Sequence, residues 1–199
     1  MYSFFATISR MKYIERWALM RSSRPENLSE HAQEVAAIAH VLCTIGNLRY
    51  GQDLDADRAA MLGLYHDVTE IITGDMPTPV KYHSRDIRRA YHEVEDAAAK
   101  RLLQLLPSDL QDTYQSILLP EKSENAESEE YMRRLVKAAD KLSALIKCIE
   151  EEKAGNGEFR TAKKTIQDAV DELAAEMPEV RDFCREFLPS YGSTLDELL

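Results

Sequence analysis

At 199 residues the chain is long enough for one domain with a full core, and a single domain over 1–199 is expected. Its 25 basic residues against 35 acidic ones leave a net charge of −10, which disfavours broad binding to nucleic acid or an anionic membrane surface but not the capture of a small phosphate ester by a few local cations. Apolar residues at 44%, only 7 Gly and 7 Pro, and abundant Ala, Leu, Glu and Lys predict a soluble all-α fold.

The odd set Cys43, Cys148 and Cys184 has no CxxC spacing, so reduced thiols in a cytoplasmic protein are expected rather than a disulfide frame. The short apolar start is broken by Arg10 and Lys12, unlike a secretory leader. No run approaches the roughly 18 apolar residues of a membrane span.

In chain order, Phe4, Ile8 and Met11 predict a short first helix over 3–14. Arg16 and Trp17 follow, before a polar turn at 21–26. The sole tryptophan reads locally either as a packing anchor or as a ligand contact, and a guanidinium beside it suits phosphate. Asn27, with Glu30 three residues on, predicts a capped helix whose stripe Val35, Ile38, Leu42 and Ile45 extends back to His31, while His40 falls off it. Gly46 and Gly51 bracket a loop, and Asp55 caps a central helix running to Gly74. Gly63 inside that helix predicts close approach by a neighbouring backbone.

The central helix is apolar on most of its circumference yet carries His66, Asp67 and Glu70, groups that a buried helix avoids unless they are paired or bound to metal. At about 100° per residue Glu70 falls angularly between His66 and Asp67, so the three share one edge. Gly74 ends the helix, and Pro77 and Pro79 keep it from resuming, leaving Asp75 and Thr78 on a stiff turn. Ser84 caps a helix to Leu106 with Ile87, Tyr91, Val94, Ala98, Leu102 and Leu105 inward and a solvated face that includes Glu95; His83 and His92 are expected at the surface. A shorter helix runs from Ser108 to before Pro120, and the acidic segment 121–130 is expected as a mobile loop. The next helix, about 128–153, carries Asp140 at the margin of its stripe. Two further helices, over 158–175 and from Pro178 to Leu188, and a helical turn in the tail bring the total to seven or eight.

His31, His66, Asp67 and Asp140 thus come from three helices, each near a core-facing side. Two imidazoles and two carboxylates suit a borderline divalent ion, and the lack of thiolates argues against a closed structural zinc site. Such an ion can polarise a phosphoryl oxygen, with Glu70 as acid or base nearby.

In order and setting, His31, His66-Asp67 and Asp140 resemble the metal signature of the HD-domain phosphohydrolases. Arg16-Trp17, Ser29-Glu30-His31, Tyr65–Glu70 and Gly74–Lys81 further resemble the bacterial 5′-deoxynucleotidases of the YfbR type, over essentially the whole chain. The resemblance implies an HD-domain helical bundle acting as a homodimer on 2′-deoxyribonucleoside 5′-monophosphates, with one divalent transition metal such as cobalt or manganese. By residue match, the ligands would be His31, His66, Asp67 and Asp140, with Asp67 and Asp140 also near substrate. Arg16 would orient phosphate, and Trp17 would occupy the space of a 2′-hydroxyl. Asp75, Met76, Pro77 and Thr78 would touch the nucleotide, and Glu70 and Asp75 would handle protons. The segment 121–130 departs from the family pattern. The rival readings are a related phosphohydrolase acting on a triphosphate, cyclic nucleotide or alarmone, and a non-catalytic module in which metal only staples helices.

Overall fold

A computed structural model describes residues 1–81, 83–119 and 126–199, without the side chains of 78, 79 and 126. Among these residues the regular secondary structure is helical apart from one two-residue antiparallel pair, and the all-α expectation holds. The helices longer than one turn are α2 (Leu28–Tyr50), α3 (Ala56–Tyr65), α6 (Arg85–Leu103), α7 (Ser108–Leu118), α8 (Ala126–Lys153), α9 (Arg160–Glu176) and α10 (Pro178–Glu186). Single turns form α1 (Phe4–Ile8), α4 (Glu70–Thr73), α5 (Thr78–Lys81) and α11 (Leu195–Leu198). The strands are β1 (Glu15–Arg16) and β2 (Glu26–Asn27), with Arg16 opposite Glu26. No helix among the described residues is long and apolar enough to cross a membrane.

Two compact units emerge. The first takes in Met1–Arg21, Pro25–Ala32 and Leu64–Lys122. Its core gathers Phe4, Met11, Leu28, Ala32, Val68, Leu102, Leu103 and Leu106. Phe4 and Tyr114 meet edge-on at 5.1 Å between ring centres. Asn27 caps α2 as its sequence predicts: Oδ1 accepts from the amides of Ser29 and Glu30. Ser84 caps α6 through the Ile87 amide.

The second unit takes in Ser22–Arg24, Gln33–Gly63 and Ser123–Leu199. The α2 stripe Val35, Ile38, Leu42 and Ile45 is buried there, as are Leu135, Ala139, Leu142 and Ile146 of α8. A methyl group on Gly63 would stand 3.0 Å from the Ala36 Cα, so the close backbone approach expected at this glycine is present. Arg58 grips Glu129 with two nitrogens at 3.0 Å, and Asp55 caps α3 through the Arg58 amide.

Four expectations need correction. The central helix does not run to Gly74: α3 stops at Tyr65, and residues 66–69 form a turn closed by i→i+3 bonds such as Val68 N–H to Tyr65 C=O. The proline turn permits one helical turn, α5, since Pro79 falls in its first turn, where the missing N–H costs nothing. On α6, Val94 is exposed and Glu95 is turned inward onto Lys81, 3.2 Å away, so an ion pair has taken the place given to the apolar stripe. Of the acidic segment, 121–125 lie outside the described residues, while 126–130 already belong to α8.

Glu151 on α8 is a buried carboxylate of the second unit with several hydrogen-bond donors. It accepts from Lys147 at 2.5 Å, from Asn156 and the Ser23 amide at 2.8 Å, and from the Arg24 amide at 3.4 Å. Burial alone would raise its pKa, but the bonds from Lys147, Asn156 and Ser23 outweigh that and hold it at about 2. The unfolded chain therefore binds the extra proton between about 4.5 and about 2, so this contribution is present above that window and disappears as pH falls through it. Glu151→Gln should cost roughly 3–5 kcal/mol at neutral pH, because Lys147 is left buried without its counter-charge. In denaturant titrations the gap from the natural chain should close on approaching pH 2; an undiminished gap there would refute this origin.

Candidate metal and phosphate site

His31 enters the site from the first turns of α2 and is fully buried. His66 and Asp67 come from the turn that ends α3. Their donor atoms converge: His66 Nε2 lies 3.0 Å and His31 Nε2 3.6 Å from Asp67 Oδ2. One donor atom from each residue falls within 4.8 Å of the others. The imidazoles are inclined at 62° with ring centres 5.1 Å apart. Two ring nitrogens and a carboxylate oxygen so placed fit a borderline divalent cation, which would join them where they otherwise crowd.

Asp140, the fourth expected ligand, lies on α8 in the other unit, where its Oδ2 is 3.4 Å from Lys141 Nζ. Its part in the site stays a sequence-based expectation.

Glu70 opens α4 and is buried, and its Oε2 has no hydrogen-bond partner among the described residues. Burial first, then the negative charges of Asp67 and Asp75, push its pKa up to about 9, against the pull of Lys81 and Arg16. A cation beside Asp67 would oppose that push. Asp75 is raised too, first by burial and then by Asp67, while Arg16, Lys81 and the backbone N–H of Trp17, which donates to its carboxylate, act the other way. Met76 and Pro77 are half-buried on the same turn; the side chain of Thr78 lies outside the described residues.

Arg16 and Trp17 sit where β1 ends. Trp17 has φ +59°, the left-handed region that a bulky side chain enters only under constraint, at a cost of order 1–2 kcal/mol. Its carbonyl accepts from Met20 at 2.7 Å, closing the turn, and the Arg16 guanidinium lies 6.0 Å from the centre of its ring. Two participants were not singled out from sequence. Glu26 receives both Arg16 and the Trp17 indole. Lys81, half-buried 4.5 Å from the centre of the Tyr91 ring and paired with Glu95, acts electrostatically on Glu70 and Asp75. Lys81 closes the Pro-Thr-Pro-Val-Lys run, and its position beside the acidic turn was the available signal.

Chemically, the arrangement offers a cation site, a protonatable carboxyl next to it, and a guanidinium beside an indole. Asp67→Asn should weaken divalent-metal binding by more than the roughly 10–100-fold that losing an outer-shell partner costs, with helical circular dichroism unchanged. Calorimetry showing undiminished affinity would remove Asp67 from the ligand set.

Comparison with known proteins gives one direction. The family described as 5′-deoxynucleotidase YfbR-like matches residues 3–191. A curated 5′-deoxynucleotidase of Vibrio parahaemolyticus is 44% identical over 195 residues, covering 98% of this chain and 97% of the relative. One from Photorhabdus temperata is also 44% identical, covering 98% and 95%. Among solved structures, an HD-domain phosphohydrolase from Listeria innocua aligns with TM-score 0.78 at 24% identity, covering 95% of this chain and 88% of that one. The cyanophage S-2L HD phosphohydrolase, solved with dA and one catalytic zinc ion, aligns with TM-score 0.61 at 18% identity, covering 92% and 93%.

Proposed function

This chain belongs to the YfbR-like 5′-deoxynucleotidase family, and on that premise we propose that it hydrolyses 2′-deoxyribonucleoside 5′-monophosphates to deoxynucleoside and phosphate, selecting against ribonucleotides. The observation that carries the reading is the convergence of His31, His66 and Asp67 on one point. That cluster lies in the same compact unit as Arg16 and Trp17. We assign one divalent transition metal, of the cobalt or manganese kind, to these three residues with Asp140 as the fourth ligand. Bound there, the ion supplies Lewis-acid charge that phosphate-monoester hydrolysis, very slow without catalysis, requires.

The chain's own residues do the rest. Arg16 binds and orients the phosphate through its forked donors. Glu70, whose buried Oε2 has no hydrogen-bond partner among the described residues, holds and passes a proton at that oxygen, and Asp75 is the second proton carrier. Asp75, Met76, Pro77 and Thr78 line the nucleotide. Trp17 sets its indole where a 2′-hydroxyl would lie, leaving that hydroxyl both crowded and unpaired. The chain is read as a single domain on its length, and the active form as a homodimer on the family resemblance. The cytoplasm is the assigned compartment, supported by three free cysteines, two of them buried.

A phosphate-release screen on metal-stripped protein, with each divalent ion restored against deoxyribonucleotides and ribonucleotides, tests this directly. Release from dAMP that depends on added metal is expected. Activity confined to triphosphates or cyclic nucleotides would favour the related phosphohydrolase, and none at all the metal staple. Trp17→Ala should narrow the dAMP-over-AMP preference by roughly tenfold. Unchanged discrimination would take the sugar role away from this residue.

A further inference from the structure

We propose that Glu26 is a positioning residue whose single oxygen Oε2 holds the Arg16 guanidinium and the Trp17 indole in fixed relation to each other. The inference rests on the reading of those two residues as the phosphate and sugar contacts. The Trp17 Nε1–H donates to Glu26 Oε2 at 3.1 Å and Arg16 Nη1 donates to the same oxygen at 3.4 Å. The side chains of Arg16 and Glu26 are only 12% and 13% exposed, so water competes weakly for the shared oxygen. An exposed ion pair would do little; this one is sheltered and serves two donors.

The backbone prepares the arrangement. Pairing of β1 with β2 sets Arg16 directly opposite Glu26. Immediately after Glu26, Asn27 caps α2 and Leu28 is fully buried, so the carboxylate is fastened to the helix that carries His31 five residues on. Trp17, in its left-handed conformation, is gripped at two places by two carboxylates: its backbone N–H by Asp75 and its ring N–H by Glu26. Arg16 has five N–H donors, so its contact with Glu26 leaves donor capacity for phosphate.

The test compares Glu26→Ala and Glu26→Gln in the metal-loaded enzyme. It uses steady-state kinetics on dAMP and AMP together with acrylamide quenching of Trp17, the only tryptophan in the chain. Glu26→Ala should narrow the deoxy preference by about tenfold, raise KM for dAMP more than it lowers kcat, and increase quenching. Glu26→Gln keeps an oxygen for the indole N–H but removes the charge beside Arg16. It should restore sugar preference and quenching to near their natural values while KM for dAMP stays raised. In a Trp17→Phe background, which lacks the ring N–H, Glu26→Ala should no longer change sugar preference. The proposal is overturned if Glu26→Ala leaves preference and quenching as they were, or if its effect on preference is as large with Phe at position 17. Should Glu26→Ala not fold, Glu26→Gln carries the test, and an unaltered KM for dAMP overturns the proposal. A natural enzyme inactive on dAMP would defeat the functional reading instead, and the quenching comparison would still judge the geometry.

Discussion

Carboxylates outnumber cations where the first unit draws its polar side chains together, and that imbalance governs the site. Asp67, Glu70, Asp75 and Glu26 face two cations, Arg16 and Lys81, and Lys81 is shared with Glu95. Burial removes the water that would screen the repulsion, so the pKa of Glu70 is pushed up to about 9 and that of Asp75 is raised. Two imidazoles beside Asp67 bring their ring nitrogens to the same point. His31, His66 and Asp67 could hold a divalent cation, and the charge of such a cation would also favour a phosphate ester. The same groups that burden the fold electrostatically are thus suited to a divalent cation.

The break in the helix makes the convergence possible. In a regular helix, adjacent side chains such as those of His66 and Asp67 point about 100° apart. Because α3 stops at Tyr65 and the next residues turn with i→i+3 bonds, their donor atoms instead approach to 3.0 Å and both come near His31. Gly74, at φ 74°, then redirects the chain so that Asp75 can reach the Trp17 backbone N–H.

Much of this was legible because it lies in local pattern. Asn27, Asp55 and Ser84 announce the starts of their helices through cap chemistry. His31 could be placed inside from the stripe of α2, and His40, His83 and His92 outside, where they are exposed. The illegible part is non-local. Apolar periodicity continues through 66–73 and hides the end of α3, since side-chain polarity does not record which backbone bonds are i→i+3. Val94 satisfied the stripe of α6, but Lys81 needed a counter-charge at Glu95, and an ion pair between separate elements leaves no trace in spacing. Glu26 looked like a residue of a polar turn; only the pairing of β1 with β2 brings it opposite Arg16.

Trp17 concentrates these constraints in one residue. Its left-handed backbone is unfavourable by itself, and local sequence offers no glycine or asparagine to relieve it. It holds because fixed partners act on separate atoms: Met20 on the carbonyl, Asp75 on the amide, Glu26 on the ring N–H. Of these, Asp75 also feels the charges of Asp67 and Arg16. One carboxylate therefore belongs to the electrostatics of the His31, His66 and Asp67 cluster and to the backbone bond that sets the indole. Strain at the tryptophan and charge crowding at the cluster are balanced by the same side chain, so the element read as choosing the sugar and the elements read as doing the chemistry are not independent parts of the structure.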